Sequence, residues 1–297
     1  MADINLKGMG VALITPFKED ESVDYDALGK LVDYQLQNGT DYLVVLGTTA
    51  ETPTLTEEEK KKIINLIVTK VNGRIPIVLG VGGNCTRTIV DKLKNDNFDG
   101  IDAILSVVPY YNKPSQEGIY QHYKAIAEAT KLPIVLYNVP GRTGVNMSAA
   151  TTLRIAREFK NVVAVKEASG NITQMDDIIK NKPANFNVIS GDDGITFPLI
   201  TLGAIGVISV IGNAFPREFS RMVRLALAGD YDNARKIHHG FTELFELLFV
   251  DGNPAGAKSM LNAMGFIENK LRLPLVPTRI TTFEKIRDVL RQLSIKC

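Results

Sequence analysis

The sequence is poor in the residues that build disulfide frameworks and zinc sites. Its 297 residues include two cysteines, Cys85 and Cys297, and three histidines, His122, His238 and His239. Two cysteines are too few for a disulfide scaffold or a cysteine-ligated zinc site. The histidines do not form the H-E-x-x-H spacing of zinc hydrolases. These absences argue against both classes of protein.

An excess of charge of either sign is also absent. The 34 Lys and Arg residues oppose 33 Asp and Glu residues, which gives a net charge of +1. The densest charged run, EEEKKK at 57–62, mixes both signs and is typical of a solvated helix face. A balanced surface has no electrostatic footprint for nucleic acid or an anionic membrane, so we expect neither as a partner.

One uncharged segment, residues 195–216, is long enough to span a bilayer. Pro198 and Pro216 bracket it, and it has neither an aromatic belt nor a basic flank. We therefore interpret it as a buried helix followed by a buried strand. Residues 1–10 show no apolar core of signal-peptide length, so we expect no secretion signal and no membrane partner.

Short apolar runs recur along the chain, and each is followed by a helical pattern. They are continuously apolar, which is typical of parallel strands covered on both faces. Eight such units predict a closed (β/α)8 TIM barrel, an α/β fold. The alternative, an open doubly wound sheet, is disfavoured because the GxGxxG fingerprint is missing. The runs lie at 10–17, 41–49, 75–83, 100–111, 132–140, 162–169, 186–193 and 204–213.

After the eighth run the pattern becomes wholly helical. We predict a catalytic barrel over 1–214 and a C-terminal helical extension over 215–297. Helix signals support the first units, with Asp24 and Thr56 as N-caps and Gly39 and Gly73 as stops. The predicted C-terminal helices are 217–229, 231–249, 254–265 and 281–293.

Lys166 stands alone in the apolar sixth run, VVAVKEAS. On the two-residue period of a strand it shares a face with Ala164 and Ala168, which leaves room for a substrate. Burial favours the neutral amine, the nucleophile of Schiff-base chemistry with a carbonyl compound. The alternative is that Lys166 pairs with an acid and only ends its strand.

Other polar side chains follow the strands at the same end of the predicted barrel, where TIM-barrel active sites lie. Thr48 and Thr49 offer hydroxyls and exposed backbone N–H groups to a carboxylate; the alternative is ordinary helix capping, with Thr52 or Thr56 as the cap. Tyr137 is a candidate for proton transfer, or a core tyrosine with a bonded hydroxyl. Arg142 is a candidate clamp for a substrate carboxylate, or a partner in a surface ion pair.

The string GDDG at 191–194 presents two adjacent carboxylates, Asp192 and Asp193. Paired carboxylates are magnesium ligands in metal-dependent aldolases and enolase-like enzymes. No further acids line up at neighbouring strand ends. We therefore expect no metal.

Five ordered strings together resemble the dihydrodipicolinate synthase family. GTTAE, VPYYNKP, YNVPGRTG, VKEASG and GDDG follow runs two, four, five, six and seven. That family belongs to the pyruvate-dependent class I aldolases, with N-acetylneuraminate lyase. The resemblance covers the whole chain, including the helical C-terminus. It departs from the pattern at Ala50, where the family has glycine; a left-handed backbone there would cost alanine about 1 kcal/mol.

The resemblance implies a reaction and its nucleophile. Lys166 would form an imine with pyruvate, and the derived enamine would attack L-aspartate 4-semialdehyde. The amino group of that substrate would then displace Lys166 and close the ring to 4-hydroxy-tetrahydrodipicolinate, in lysine and diaminopimelate biosynthesis. No cofactor is expected, because the lysine imine is the electron sink.

The resemblance also assigns roles around the lysine. Tyr137, Thr48 and Tyr111 would form a proton relay, with Tyr111 supplied by a neighbouring subunit of a homotetramer. The remaining substrate contacts would come from Thr48 and Thr49 on the pyruvate carboxylate, from Arg142 on the semialdehyde carboxylate, and from backbone groups of Gly191 and Ile208. A cytoplasmic location is expected.

Two alternatives remain at this point. N-acetylneuraminate lyase and 2-keto-3-deoxy-sugar-acid aldolases share the lysine, the tyrosine and the barrel, but Arg142 favours a small amino-acid aldehyde over a sugar. A non-catalytic binding protein on the same fold is disfavoured by the joint presence of Lys166, Tyr137 and Thr48.

Many relatives bind L-lysine as a feedback inhibitor. The matching candidate allosteric residues are Thr52, Asn84, Thr88 and Tyr110, with Pro53, Glu57 and Lys60 beside them. Strongly inhibited relatives carry glutamate where Thr88 stands, and histidines where Glu57 and Lys60 stand. Thr88 provides no counter-ion for an amino group, and Lys60 repels one. We expect weak or absent inhibition, unless the Glu57 side chain turns into the cleft.

Overall fold

The computed structural model describes residues 4–293, so residues 1–3 and 294–297, including Cys297, lie outside it. Eight parallel strands form a closed barrel in chain order, and β8 pairs with β1. The predicted TIM barrel is confirmed. The strands are β1 Gly8–Ala12, β2 Tyr42–Val45, β3 Ile77–Gly80, β4 Ala103–Val107, β5 Ile134–Asn138, β6 Val162–Glu167, β7 Asn187–Ser190 and β8 Gly206–Ser209.

Helices connect successive strands on the outside of the barrel. They are α1 Tyr25–Gln37, α2 Glu57–Val71, α3 Thr86–Asn95, α4 Gln116–Ala129, α5 Pro140–Thr143, α6 Ala149–Glu158, α7 Ile172–Asn181 and α8 Thr196–Leu202. The predicted caps are confirmed: Asp24 accepts from the N–H of Ala27, and Thr56 forms a capping box with Glu59. Gly39 and Gly73 follow α1 and α2 with positive φ.

The strands are shorter than the apolar runs that predicted them, mainly at their carboxyl ends. Leu13, Ile14 and Phe17 continue the first run, yet they lie in the loop after β1 and are buried there. These loop residues pack into the main apolar core, so burial alone does not mark where a strand ends.

Two apolar layers make the core. The larger one fills the space between strands and helices. The smaller one fills the barrel interior and contains Tyr42, Val135, Tyr137, Ala164 and Ile208. Side chains alternate between these layers along each strand. Lys166 shares the inward face with Ala164, and Glu167 takes the opposite face.

The uncharged segment 195–216 is α8 followed by β8, as predicted. The strand is buried, but α8 is only half-buried, with Thr201 and Leu202 exposed. Across residues 4–293, no helix combines the length and the apolar character needed to cross a membrane.

The C-terminal region is helical, as predicted. α9 packs against β1 and β8, the two strands whose pairing closes the barrel. The predicted helix 231–249 is two helices, because the chain turns at Phe241. The division at 214/215 remains a prediction. The helices are α9 Pro216–Leu227, α10 Tyr231–Gly240, α11 Thr242–Phe249, α12 Ala255–Ala263 and α13 Ile280–Gln292.

Candidate active site

Lys166 and Tyr137 are neighbours inside the barrel. They are register partners on β6 and β5, and both side chains are buried. The Lys166 Nζ lies 4.3 Å from the centroid of the Tyr137 ring. No carboxylate oxygen of residues 4–293 lies within 4.0 Å of this Nζ. The alternative in which Lys166 pairs with an acid is therefore not what the structure shows.

Small residues leave space around the Lys166 chain. A Cβ built on Gly191 would lie 3.1 Å from Lys166 Cε and 2.7 Å from Ala168 Cβ. The Gly191 N–H donates to the carbonyl of Glu167 at 2.8 Å, which fixes the β7 end against β6. Glycine at 191 therefore keeps the side of Lys166 open.

A buried polar network anchors the β6 end from outside the barrel. Glu167 accepts hydrogen bonds from Asn138 Nδ2 at 3.0 Å, Gln174 Nε2 at 3.0 Å and the Ser169 N–H at 3.1 Å. Burial raises the pKa of Glu167, and these donors oppose the shift. Because Glu167 adjoins Lys166, the network fixes the backbone that carries the lysine. Sequence reasoning missed Glu167 and Asn138.

A cavity of about 400 Å³ opens at the carboxyl ends of the strands. Thr48, Tyr110, Tyr137 and Arg142 all line it, together with Thr143. Lys166 is not in its lining and contacts the Tyr137 ring instead. The Tyr137 hydroxyl has no hydrogen-bond partner within the described chain. It is therefore free to bond a substrate.

The strand-two turn, residues 47–51, presents the two threonines differently. Thr48 is exposed to the cavity, whereas Thr49 is buried and its Oγ1 accepts from Asn253 Nδ2 at 2.9 Å. The N–H groups of Thr48 and Thr49 donate to no acceptor in residues 4–293. Ala50 does not have positive φ. The expected cost of alanine at that position does not arise.

Arg142 lies on α5 at the cavity edge, and its Nη2 is 3.5 Å from the carbonyl oxygen of Asn253. It forms no ion pair with any carboxylate of the described chain. The surface ion-pair alternative is therefore absent, and the guanidinium can receive a substrate carboxylate. Asn253 thus bonds both a threonine and the arginine of the site, which no motif in the sequence indicated.

Two predicted residues do not line this cavity. Tyr111 has φ 75° and an 88% exposed ring, and its N–H donates to the Thr143 carbonyl at 3.4 Å. Ile208 is buried in the barrel interior, where it pairs with Gly10 of β1 but with no residue of β7. Within this chain, Tyr111 therefore points away from the other site residues.

The two carboxylates of GDDG accept hydrogen bonds from backbone N–H groups of nearby loops. Asp193 Oδ2 accepts from the N–H groups of Val210 and Ile211 at 2.9 and 2.8 Å, and Asp192 Oδ1 accepts from the Gly194 N–H at 2.9 Å. Burial raises the pKa of Asp193 to about 6, against the lowering effect of its backbone donors. No three His, Cys, Asp or Glu side chains of residues 4–293 are grouped to hold a metal.

The family model of the dihydrodipicolinate synthetase family matches residues 5–293. The chain belongs to this family. The 4-hydroxy-tetrahydrodipicolinate synthase of Parabacteroides distasonis is 90% identical over 297 residues and covers 100% of both chains. A dihydrodipicolinate synthase structure from Aquifex aeolicus is 44% identical, with a TM-score of 0.94, over 98% of this chain and 99% of that one.

A third relative is described as a complex with pyruvate. It is the chloride-inhibited dihydrodipicolinate synthase of Acinetobacter baumannii, 42% identical with a TM-score of 0.94. The match covers 98% of this chain and 100% of that one.

Most of the candidate allosteric residues line two cavities that share part of their lining. Thr52, Glu57, Lys60 and Thr88 line the α2–α3 groove, a second cavity of about 760 Å³ between those helices. Tyr110 and Pro53 line the first cavity, and Thr52 and Lys60 line both cavities. Asn84 lines neither, and its carbonyl accepts from Asn112 Nδ2 at 3.4 Å.

Glu57 is held by two cations of the groove. It lies 2.7 Å from Lys60 Nζ and 3.5 Å from Lys92 Nζ. The Lys60 hydrogen bond is the largest contribution that lowers the pKa of Glu57. A carboxylate already paired with two lysines offers little to the amino group of a ligand.

Proposed function

We propose that the chain condenses pyruvate with L-aspartate 4-semialdehyde and closes the product to 4-hydroxy-tetrahydrodipicolinate, with Lys166 as the nucleophile. The observation that carries the assignment of Lys166 is a buried lysine side chain beside Tyr137 with no carboxylate partner among residues 4–293. The reaction is the one for which the 90% identical relative is named.

Lys166 forms a carbon–nitrogen bond to the ketone carbon of pyruvate, and the ketone oxygen leaves as water. Loss of a methyl proton gives an enamine, because the iminium accepts the electron pair. The enamine carbon attacks the semialdehyde carbonyl, whose oxygen becomes a hydroxyl. The amino group of the second substrate then attacks the imine carbon, closes the ring and releases Lys166 as the free amine.

Tyr137 transfers protons in these steps. Its hydroxyl is unbonded within the described chain, and its ring contacts Lys166 Nζ. Thr48 lines the same cavity and completes a relay with Tyr111. An 88% exposed Tyr111 ring cannot reach the cavity of its own chain in this conformation, so we propose that it serves a neighbouring subunit of a homotetramer.

Substrate carboxylates are held at two places. The N–H groups of Thr48 and Thr49 receive the carboxylate of pyruvate, while backbone groups of Gly191 and Ile208 border the ketone end. Arg142 receives the carboxylate of the semialdehyde, supported by its unpaired state at the cavity edge. This arrangement favours a short, charged aldehyde over a polyhydroxylated sugar.

We also propose a cytoplasmic location. The exposed thiol of Cys85 is unpaired, which suits a reducing compartment. We also propose that L-lysine inhibits the protein weakly or not at all. The pairing of Glu57 with Lys60 and Lys92 supports this proposal.

Borohydride reduction in the presence of pyruvate tests the nucleophile. Peptide mapping should place the adduct on Lys166 and not on Lys258, the other buried lysine, and Lys166→Ala should lose it. An adduct that survives Lys166→Ala would overturn the assignment. Turnover with the semialdehyde, compared with N-acetylmannosamine and sugar aldehydes, then separates the synthase from its sister aldolases.

A further inference from the structure

The turn that carries Thr48 and Thr49 ends at a buried glutamate. Glu51 is 1% exposed and adopts φ 54°, the left-handed region that favours glycine. Its carboxylate Oε1 lies 2.6 Å from the Nζ of Lys258 on α12, and both side chains are fully buried. A strained glutamate in the turn is thus tied to the C-terminal helices.

Lys258 has three partners around its ammonium. Besides Glu51, it donates to the carbonyl of Lys270 at 2.8 Å and lies 4.1 Å from the centroid of the Phe17 ring. Burial lowers the pKa of Lys258 to about 8, and the Glu51 charge opposes the shift. The carboxylate also accepts from the Arg272 N–H at 3.1 Å. The groups of this cluster come from four segments of the chain, because Lys270 and Arg272 share one connector.

A buried ion pair is a poor source of stability, since apolar residues of the same volume do as well or better. Its specific effect is geometric, because each charge must meet its partner at one distance and direction. Glu51 is in this position at the cost of left-handed backbone, two residues from Thr49. A contact that requires one distance and direction fixes where the turn lies.

We propose that Glu51 and Lys258 are positioning residues that hold the N–H groups of Thr48 and Thr49 in the geometry that binds the substrate carboxylate. The inference rests on the proposed function for its kinetic consequence. Neither side chain lines the cavity, so the pair acts through the strand-two turn.

The double variant Glu51→Gln/Lys258→Met separates this role from stability. It removes both charges and keeps the side-chain sizes, so it should recover much of the Tm that either single variant loses to an uncompensated charge. With the turn no longer fixed, its KM for pyruvate should stay raised by about tenfold or more, as a misplacement below 1 Å can produce.

Hydrogen exchange measures the turn directly. The amides of Ala50 and Glu51 close the turn through bonds to Gly47 and Thr48. In the double variant their exchange should be at least several-fold faster, while the strands keep wild-type protection. The control is Ile126→Ala, which truncates a fully buried side chain on α4, remote from the turn. It should lower Tm but leave the pyruvate KM and the exchange rates of these amides unchanged.

Wild-type exchange at these amides, or a wild-type pyruvate KM in the double variant, overturns the inference. Should the double variant not fold, Glu51→Gln compared with Ile126→Ala at equal Tm decides by the same two measurements. If the wild-type protein itself forms no pyruvate adduct, the proposed function fails, and the exchange measurement still decides the positioning role.

Discussion

Gly191→Ala tests the space beside Lys166. The added Cβ would lie 2.7 Å from Ala168 Cβ and 3.1 Å from both the Glu167 carbonyl oxygen and Lys166 Cε. Ordinary contact begins near 3.4 Å, so the nearest pair must separate by 3.4 − 2.7 Å, about 0.7 Å. Two of the three neighbours are backbone or a short side chain, so the β6 end or the lysine must move.

Overpacking of this size costs about 1–3 kcal/mol of stability. A displacement approaching 1 Å at a reacting group lowers its rate by about 10–100-fold. The expected result is a lower Tm, together with slower trapping of the pyruvate adduct under borohydride. Rates are measured by intact-mass spectrometry at a temperature well below either Tm.

The matched control is Gly83→Ala, after β3 at the same end of the barrel. Its Cβ would meet only the Ile89 side chain, at 3.8 Å, and no positive φ is required there. It should leave trapping and Tm near wild type. If Gly191→Ala traps pyruvate at the wild-type rate, the structure around Lys166 is looser than these distances imply and the reasoning is wrong.

The remaining predictions concern two cavity side chains, the α2–α3 groove and a buried histidine. Tyr137→Phe should lower kcat by about 10²–10⁴-fold, the range for an acid–base group; a near-normal rate at unchanged Tm would leave Tyr137 a packing residue. Arg142→Ala should still form the pyruvate adduct but lose about 1.5–3 kcal/mol of semialdehyde affinity; equal loss of the adduct would indicate a structural role. L-lysine titrated against initial rate should inhibit weakly or not at all, because Thr88 has no carboxylate and Lys60 is a cation; half-inhibition at submillimolar lysine contradicts this. Burial lowers the pKa of His122 from 6.5 to about 4, so only the unfolded state takes up the proton between these pH values. Urea unfolding should show about 3 kcal/mol lost to this group as pH falls through that window, and the loss should be absent in His122→Gln; parallel curves would refute it.

The barrel was accessible from sequence because continuous apolar runs with helices between them have few other solutions. Strand ends were less accessible. Leu13 and Phe17 extend the first run but lie in a buried loop, since loop burial depends on what covers the barrel end. The break at Phe241 was missed for a similar reason, because the helical pattern continues across it.

The site was predictable where one residue type stands out against its surroundings. Lys166 is a lone lysine in an apolar run, and the structure places it beside Tyr137 without an acid. Lys258 gives the same signal within AGAKSMLNAMG, yet it meets Glu51 at 2.6 Å. Only three-dimensional proximity separates the two, since Glu51 and Lys258 lie far apart in the sequence.

Asn253 illustrates the remaining limit. It bonds Thr49 from 204 positions away, and it lies in a loop with no motif of its own. Neither residue propensity nor periodicity predicts a contact between two such loops, because both describe only residues that are close together in the sequence. The contact exists only once the C-terminal helices have packed onto the barrel.

The dependence of the strand-two turn on α12 has a consequence for how the protein is made. Chains emerge from the ribosome N-terminus first, at about 5–20 residues per second, so Lys258, which follows Glu51 by 258 − 51 = 207 positions, is added about 10–40 s later. During that interval Glu51 lacks the lysine partner that it has in the complete protein. A nascent chain that has completed all eight strands still lacks the Glu51–Lys258 pair that we propose positions the strand-two turn. If the proposed positioning role holds, the affinity for pyruvate therefore reaches its full value only after the C-terminal helices have been made.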